Sequence, residues 1–469
     1  MAEVTSGKLK MTEKISYGFG DLASVLYWQT FMLYLTYFYT DVFLIPAGLA
    51  ATMFVVSRLW DGVNDPIMGI IADRTNTRWG KFRPYLLWLC VPFAVIGVLT
   101  FTVPDLGATG KLIWAYVTFV LIMMLYTGIN IPYTALLGVI SPDSNERTTV
   151  SSVKFIFAFA AGAIVSFTLL PMVKGLGGGN EARGWQLSFV CYGIAAIIFF
   201  LIAFRGTRER VQPPKSQESS VKKDLYELIT NGPWLILLAT TITFILFVAV
   251  RSSVTVHYFK YVIGAQELKV PFLSGRILDF DLLASLFNGV GQISSLLGVL
   301  LVSWFAQKVG KKKAFAILFV VAILSTAAFY ILSAEQLPLI FLCQITGSLS
   351  GGPLSVLLWA MYADTADYGE WKRGRRATGL VFSASTMSQK FGWAFGAFLA
   401  LRLMAQVGFA PNEAQSPESL RGLLLLFSLI PAGIGVLSMI LLMFYPLNDK
   451  KVEMIIGELN ERREAAEEK

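Results

Sequence analysis

Apolar runs of membrane-spanning length recur along the whole chain, separated by short polar connections. In the first half they begin near Asp21, Ala47, Tyr85, Leu112, Val150 and Leu187. In the second half they begin near Trp234, Leu283, Phe315, Leu339, Gly379 and Leu423. An α-helix needs about 20 apolar residues to cross roughly 30 Å of hydrocarbon, and each of the twelve runs meets that need. Basic residues gather in every second connection: Lys8, Lys10 and Lys14, then Arg74, Arg78, Lys81 and Arg83, then Arg147. Lys308 with Lys311, Lys312 and Lys313 follow, and after them Lys372, Arg373, Arg375 and Arg376. This alternation predicts that both termini lie in the cytoplasm. One long polar connection, RGTRERVQPPKSQESSVKKD at 205–224, interrupts the series after the sixth run. The predicted organisation is an N-terminal six-helix half over 1–206, a cytoplasmic linker over 207–231, a C-terminal six-helix half over 232–446 and a cytoplasmic tail over 447–469.

Composition excludes most other classes. The 469 residues are 55% hydrophobic and only 15% charged, against about 25% charged in a soluble domain. Mean hydropathy is +0.61. The net charge of +8 therefore reports loop topology, and no nucleic-acid partner is expected. Cys90, Cys191 and Cys343 lie far apart in apolar runs, with neither metal nor disulfide spacing. His257 is the single histidine, so no histidine metal site or proton relay can be built. The first 14 residues are polar and lack a signal-peptide core. No Ser/His/Asp set or nucleotide loop appears, and an enzyme is not expected; Gly177-Gly-Gly179 lacks a following Lys-Ser/Thr.

Residues 57–69 carry the candidate chemistry. Arg58, Asp61 and Asp65 fall inside an otherwise apolar stretch over 47–71 and share one helical face. Each ionised carboxylate within a bilayer costs roughly 2.5–3.5 kcal/mol, which makes function the default reading of such a residue. Two carboxylates against one guanidinium leave a formal charge of minus one, which one monovalent cation cancels. The plainer reading is a structural Arg–Asp staple with the second Asp protonated. Sugars need aromatic faces and polar side chains, and Trp28, Gln29, Asn130, Tyr133, Lys154, Trp359 and Gln389 are the candidates at inward positions.

Several motifs then converge. Tyr17-Gly-Phe-Gly-Asp21, Phe38-Tyr-Thr-Asp-Val42, Trp60-Asp-Gly-Val-Asn-Asp-Pro-Ile-Met-Gly69 and Arg78-Trp-Gly-Lys-Phe-Arg-Pro84 occur in order, followed by Asn130-Ile-Pro-Tyr133 and Ala363-Asp-Thr-Ala-Asp-Tyr-Gly-Glu-Trp371. Over about residues 14–446 the chain resembles the glycoside–pentoside–hexuronide:cation symporters, of melibiose-carrier type, within the major facilitator superfamily. The resemblance implies an all-α polytopic membrane protein of twelve transmembrane helices in two six-helix halves. It implies sodium- or proton-coupled sugar symport by alternating access in the bacterial inner membrane. It also implies that Asp61 and Asp65 ligate the cation, with Asn64 and Thr127 nearby and Lys390 reaching the region from the second half. No cofactor is implied beyond the coupling cation, and the expected partners are a small sugar, that cation and the lipid bilayer, with the carrier a monomer.

The departures from the family pattern shape the expectations. Val25 stands where the melibiose carrier has its sugar-binding aspartate, and Asp21, one turn earlier, is the candidate replacement. Asn130 replaces a second family carboxylate, and Lys154 replaces the family arginine. Because Lys154 and Lys390 would face fewer acids, an anionic sugar such as a uronide becomes a candidate. Asp364, Asp367 and Glu370 are expected to form an inner gate with the loop holding Glu146 and Arg147. The connection over 264–281 is expected to form an external flap. Arg251 and His257 are read as interfacial or structural. The alternatives are a sugar uniporter and, from another class, a transporter-like sugar sensor.

Overall fold

The computed structural model describes residues 9–141, 144–210, 229–267, 277–373 and 378–467. The side chains of Arg58, Asp61 and Arg147 lie outside the described residues. Every apolar run marked in the sequence falls on helix: α1 Met11–Tyr37, α2 Ala47–Arg74, α3 Arg83–Thr100, α4 Ala108–Val139, α5 Ser144–Gly177 and α6 Glu181–Gly206. After the linker come α7 Gly232–His257, α8 Phe280–Val309, α9 Lys311–Ala328, α10 Leu337–Arg373 and α11 Thr378–Gln406. The last run is broken at Ser428 into α12 Pro417–Phe427 and α13 Leu429–Met443, and α14 Asp449–Glu467 forms the tail. In lipid the backbone must satisfy its own hydrogen bonds, which is why apolar runs of this length become helices.

Among the described residues, eight helical stretches are long and apolar enough to cross a bilayer. Helices α1, α2, α9 and α11 fall short of that apolarity. The reason is visible in their residues: α1 carries Glu13, Lys14 and Asp21, α2 carries Arg58, Asp61 and Asp65, α9 opens on three lysines, and α11 carries Gln389 and Lys390. Three of these four hold predicted site residues, as expected where intramembrane polarity is kept for function.

The chain divides into two compact units, the first comprising Met1–Lys215, Leu278–Gly289 and Ala410–Ala414, the second Ser216–Ile277, Val290–Phe409 and Gln415–Lys469. In the first, α1 packs along α5 and α6, α3 along α4 and α6, and α2 along α4. Phe101 stacks on Phe189 with centroids 3.7 Å apart and lies parallel to Trp185. Small residues set the helix approach: a Cβ at Gly184 would fall 2.0 Å from the Val173 carbonyl oxygen on α5. The residues after α6 strap one end of this unit. The Glu209 carboxylate accepts from the backbone N–H of Lys81, Phe82 and Arg83 at 2.9, 2.8 and 3.0 Å. Arg210 donates to both oxygens of Glu13, at 2.7 and 2.8 Å, and that hydrogen bond raises the Arg210 pKa.

In the second unit α7 packs on α11 and α13, and α9 on α10 and α13. Phe244, Phe315, Phe319, Tyr362 and Tyr445 lie in its core, and Val452, Ile455 and Leu459 bury one face of the tail helix in the same core. Helices α1 and α7, the first of each unit, both pass into a π-turn, Phe38–Val42 and Tyr258–Ile263. Of the predicted flap, Gln266–Glu267 and Ile277–Leu278 pair as a two-stranded ribbon, while 268–276 lies outside the described residues.

Candidate cation and sugar site

The first unit assembles its polar interior from α1, α2, α4 and α5. On α2, Asp65 accepts a hydrogen bond from the Thr127 hydroxyl of α4 at 2.9 Å. Two residues predicted from different helices to serve one cation therefore meet. Asn64, half-buried beside Asp65, keeps its amide nitrogen without a hydrogen-bond partner among the described residues. Asp61 lies one turn earlier on α2, at i,i+4 from Asp65.

A second cluster joins α1, α4 and α5. Lys154 Nζ stands 3.6 Å from Asp21 Oδ1, with both side chains largely buried. Lys154 also lies over the Tyr133 ring, 5.6 Å from its centroid. Two turns along α1 from Asp21, Trp28 stacks on Tyr126 of α4 at 5.2 Å and 24°. Asn130 donates to the Tyr126 carbonyl at 3.1 Å, within its own helix. Gln29 and Val25 are half-buried on α1.

Tyr133 requires a correction. It was expected to face the sugar, yet it is 1% exposed. Its hydroxyl donates to the Tyr17 carbonyl at 2.8 Å, the Tyr17 hydroxyl donates back to the Tyr133 carbonyl at 3.1 Å, and the rings stack at 4.5 Å. Gly20 leaves room for the ring, since a Cβ there would lie 2.5 Å from it. Tyr133 thus fastens α4 to α1. Tyr126, which stacks on Trp28, was missed, although its place one turn before Asn130 on α4 was readable.

The second unit places Trp359 edge-on to Tyr362 at 6.1 Å, and the Tyr362 hydroxyl bonds Thr241 Oγ1 at 2.6 Å. Gln389 and Lys390 are half-buried on α11. Asp364 of the expected gate binds Lys311 Nζ at 2.6 Å within its own unit, with Asp367 and Glu370 half-buried farther along α10. In the first unit Glu146 pairs with Lys14 at 2.8 Å. In the sequence both lysines count only toward loop topology, and their pairing with carboxylates appears in the fold. Of its two expected readings Arg251 takes the structural one: its Nη2 donates to Gln344 Oε1 at 2.5 Å and its guanidinium lies over Phe329 and Phe427. His257 is fully buried, with Phe409 edge-on at 5.3 Å.

This all-helical architecture is that of the major facilitator transporters. A crystal structure of the nucleoside transporter NupG superposes with a TM-score of 0.62 at 14% identity, covering 92% of this chain and 98% of that one. A structure described as giving insights into substrate recognition in proton-dependent oligopeptide transporters superposes with a TM-score of 0.66 at 12% identity, covering 96% and 100%. The family described as MFS/sugar transport protein matches residues 16–449, and the chain belongs to it. It is therefore an integral membrane sugar transporter of that superfamily. It is 36% identical over 449 residues to the isoprimeverose transporter of Lactiplantibacillus pentosus, covering 95% of this chain and 90% of that one. It is 34% identical over 457 residues to an inner membrane symporter of Escherichia coli, covering 96% and 95%. A glucuronide carrier protein homolog of the same organism is 28% identical over 455 residues, covering 97% and 96%.

Proposed function

We propose that the chain imports a sugar together with one monovalent cation, sodium or a proton, across the bacterial inner membrane. The observation that carries this reading is the hydrogen bond of Thr127 to Asp65. It brings oxygen ligands from two helices together around a carboxylate in an otherwise apolar stretch of α2. Hard monovalent cations favour such oxygen ligands, and Asp61, Asp65, Asn64 and Thr127 are the set we assign, together with Lys390 of the second half. The sugar is assigned to Asp21, Trp28, Gln29, Asn130, Lys154, Trp359 and Gln389. Twelve helices in two six-helix halves, both termini cytoplasmic, rock around this site to expose it alternately. Asp364, Asp367, Glu370 and Arg147 serve the inner gate, and the carrier works as a monomer without a cofactor.

Uptake into vesicles tests the coupling. An imposed sodium or proton gradient should raise sugar uptake, and Asp61→Asn or Asp65→Asn should each abolish that rise. Uptake indifferent to both gradients would make the protein a uniporter.

A further inference from the structure

We propose that the Asp21–Lys154 pair selects the charge of the sugar, so that the carrier takes uncharged glycosides and rejects hexuronides. This rests on the reading of the protein as a sugar symporter and adds to it the substrate class. Counting acids along the sequence favours the opposite, because Lys154 and Lys390 then face fewer acids than the family pattern supplies. In the fold Lys154 has a counter-charge, Asp21 on α1, at 3.6 Å.

That distance matters. A direct ammonium–carboxylate hydrogen bond is about 2.7–2.9 Å long. At 3.6 Å the charges cancel while both heads keep hydrogen-bonding capacity: the ammonium has three donors and the carboxylate is a pure acceptor. Neighbouring hydroxyls of a neutral sugar can donate to Asp21 and accept from Lys154 without disturbing the balance. The Trp28–Tyr126 stack, two turns away along α1, supplies an aromatic surface for the C–H face of the same ring. A uronide carboxylate reaching Lys154 would instead have to share it with Asp21. Two carboxylates at one ammonium repel each other, and like charges at that range disfavour the ionised forms of both. The two sides of this selection are both represented among the relatives, an isoprimeverose transporter and a glucuronide carrier homolog, so likeness alone does not decide it.

The test is uptake into vesicles of uncharged methyl glycosides, pentosides and disaccharides, each hexoside matched with its hexuronide. Thermal shift is read in parallel. Wild-type protein should prefer at least one uncharged sugar tenfold or more over every hexuronide. Asp21→Asn, which keeps the shape and frees the ammonium charge, should raise the hexuronide-to-neutral ratio at least tenfold. Lys154→Gln in that background should reverse the gain. A second readout needs no variant. A neutral sugar entering with one cation carries net charge, so an inside-negative potential should drive its uptake. Wild-type vesicles that take up a hexuronide as well as its neutral counterpart, or an unchanged ratio in Asp21→Asn, would each overturn the inference and leave sugar symport standing. Uptake of the uncharged sugar indifferent to potential would overturn the symport reading and, with it, the inference. Vesicles that take up no sugar of either kind would overturn both.

Discussion

Thr127 shows what a single hydroxyl contributes in this interior. It donates at 2.9 Å to Asp65, and a hydrogen bond to a charged group is worth about 1.5–3 kcal/mol. Thr127→Val keeps the branched shape and deletes the donor. The expected result is about a tenfold rise in the cation concentration for half-maximal uptake, equivalent to about 1.4 kcal/mol, with melting temperature little changed. A titration of uptake against cation concentration measures it, and an unaltered midpoint would remove Thr127 from the cation set. Tyr133 makes the contrasting point. Its position in Asn130-Ile-Pro-Tyr133 suggested sugar contact, but reciprocal hydrogen bonds with Tyr17 commit it to packing. A motif identifies the residue, and only its partners identify the role.

At the scale of elements, the start of α3 is capped from a distance. Phe82 at its N-cap offers no side-chain bond, and Glu209 supplies the carboxylate for three N–H groups instead. Negative charge at a helix N-terminus is favoured by the exposed N–H groups and the helix dipole. Gly80 makes room for it: φ is +108°, and a Cβ there would lie 2.4 Å from the Glu209 carboxyl carbon. Loss of an N-cap costs about 0.5–2 kcal/mol. Glu209→Ala should therefore lower the melting temperature and speed amide hydrogen exchange over residues 80–85. Gly80→Ala should do the same by expelling the carboxylate, and the double variant should be little worse than either alone, since both delete one interaction. Full additivity in thermal melts would refute the shared cause.

At the scale of the whole molecule, the proposed symport of one cation with a neutral sugar makes the drive electrical. One cation moving with a neutral sugar carries one charge per cycle, and about 100 mV contributes roughly 2.3 kcal/mol to it. At about 1.4 kcal/mol per factor of ten, that supports roughly forty-fold accumulation with no ion gradient. Vesicles clamped at about −100 mV by a potassium diffusion potential should approach this ratio; accumulation near unity would exclude a net positive cycle.

What the sequence determined by itself, among the described residues, was that each marked apolar run is helical, and the family to which the motifs belong. Hydrophobic length and loop charge are local properties, and a bilayer converts them directly into helices because backbone polar groups there have no water to turn to. It also placed Asp65 and Thr127 among the cation candidates, through motifs the family shares. Partnership was decided only by tertiary structure. Asp21 and Lys154 lie on different helices, far apart in the chain, and nothing local in either segment says that one ammonium will stand 3.6 Å from one carboxylate. The same holds for Lys311 with Asp364 and Glu209 with the start of α3. Coulomb interaction depends on separation in space, and in this carrier the helix packing sets that separation.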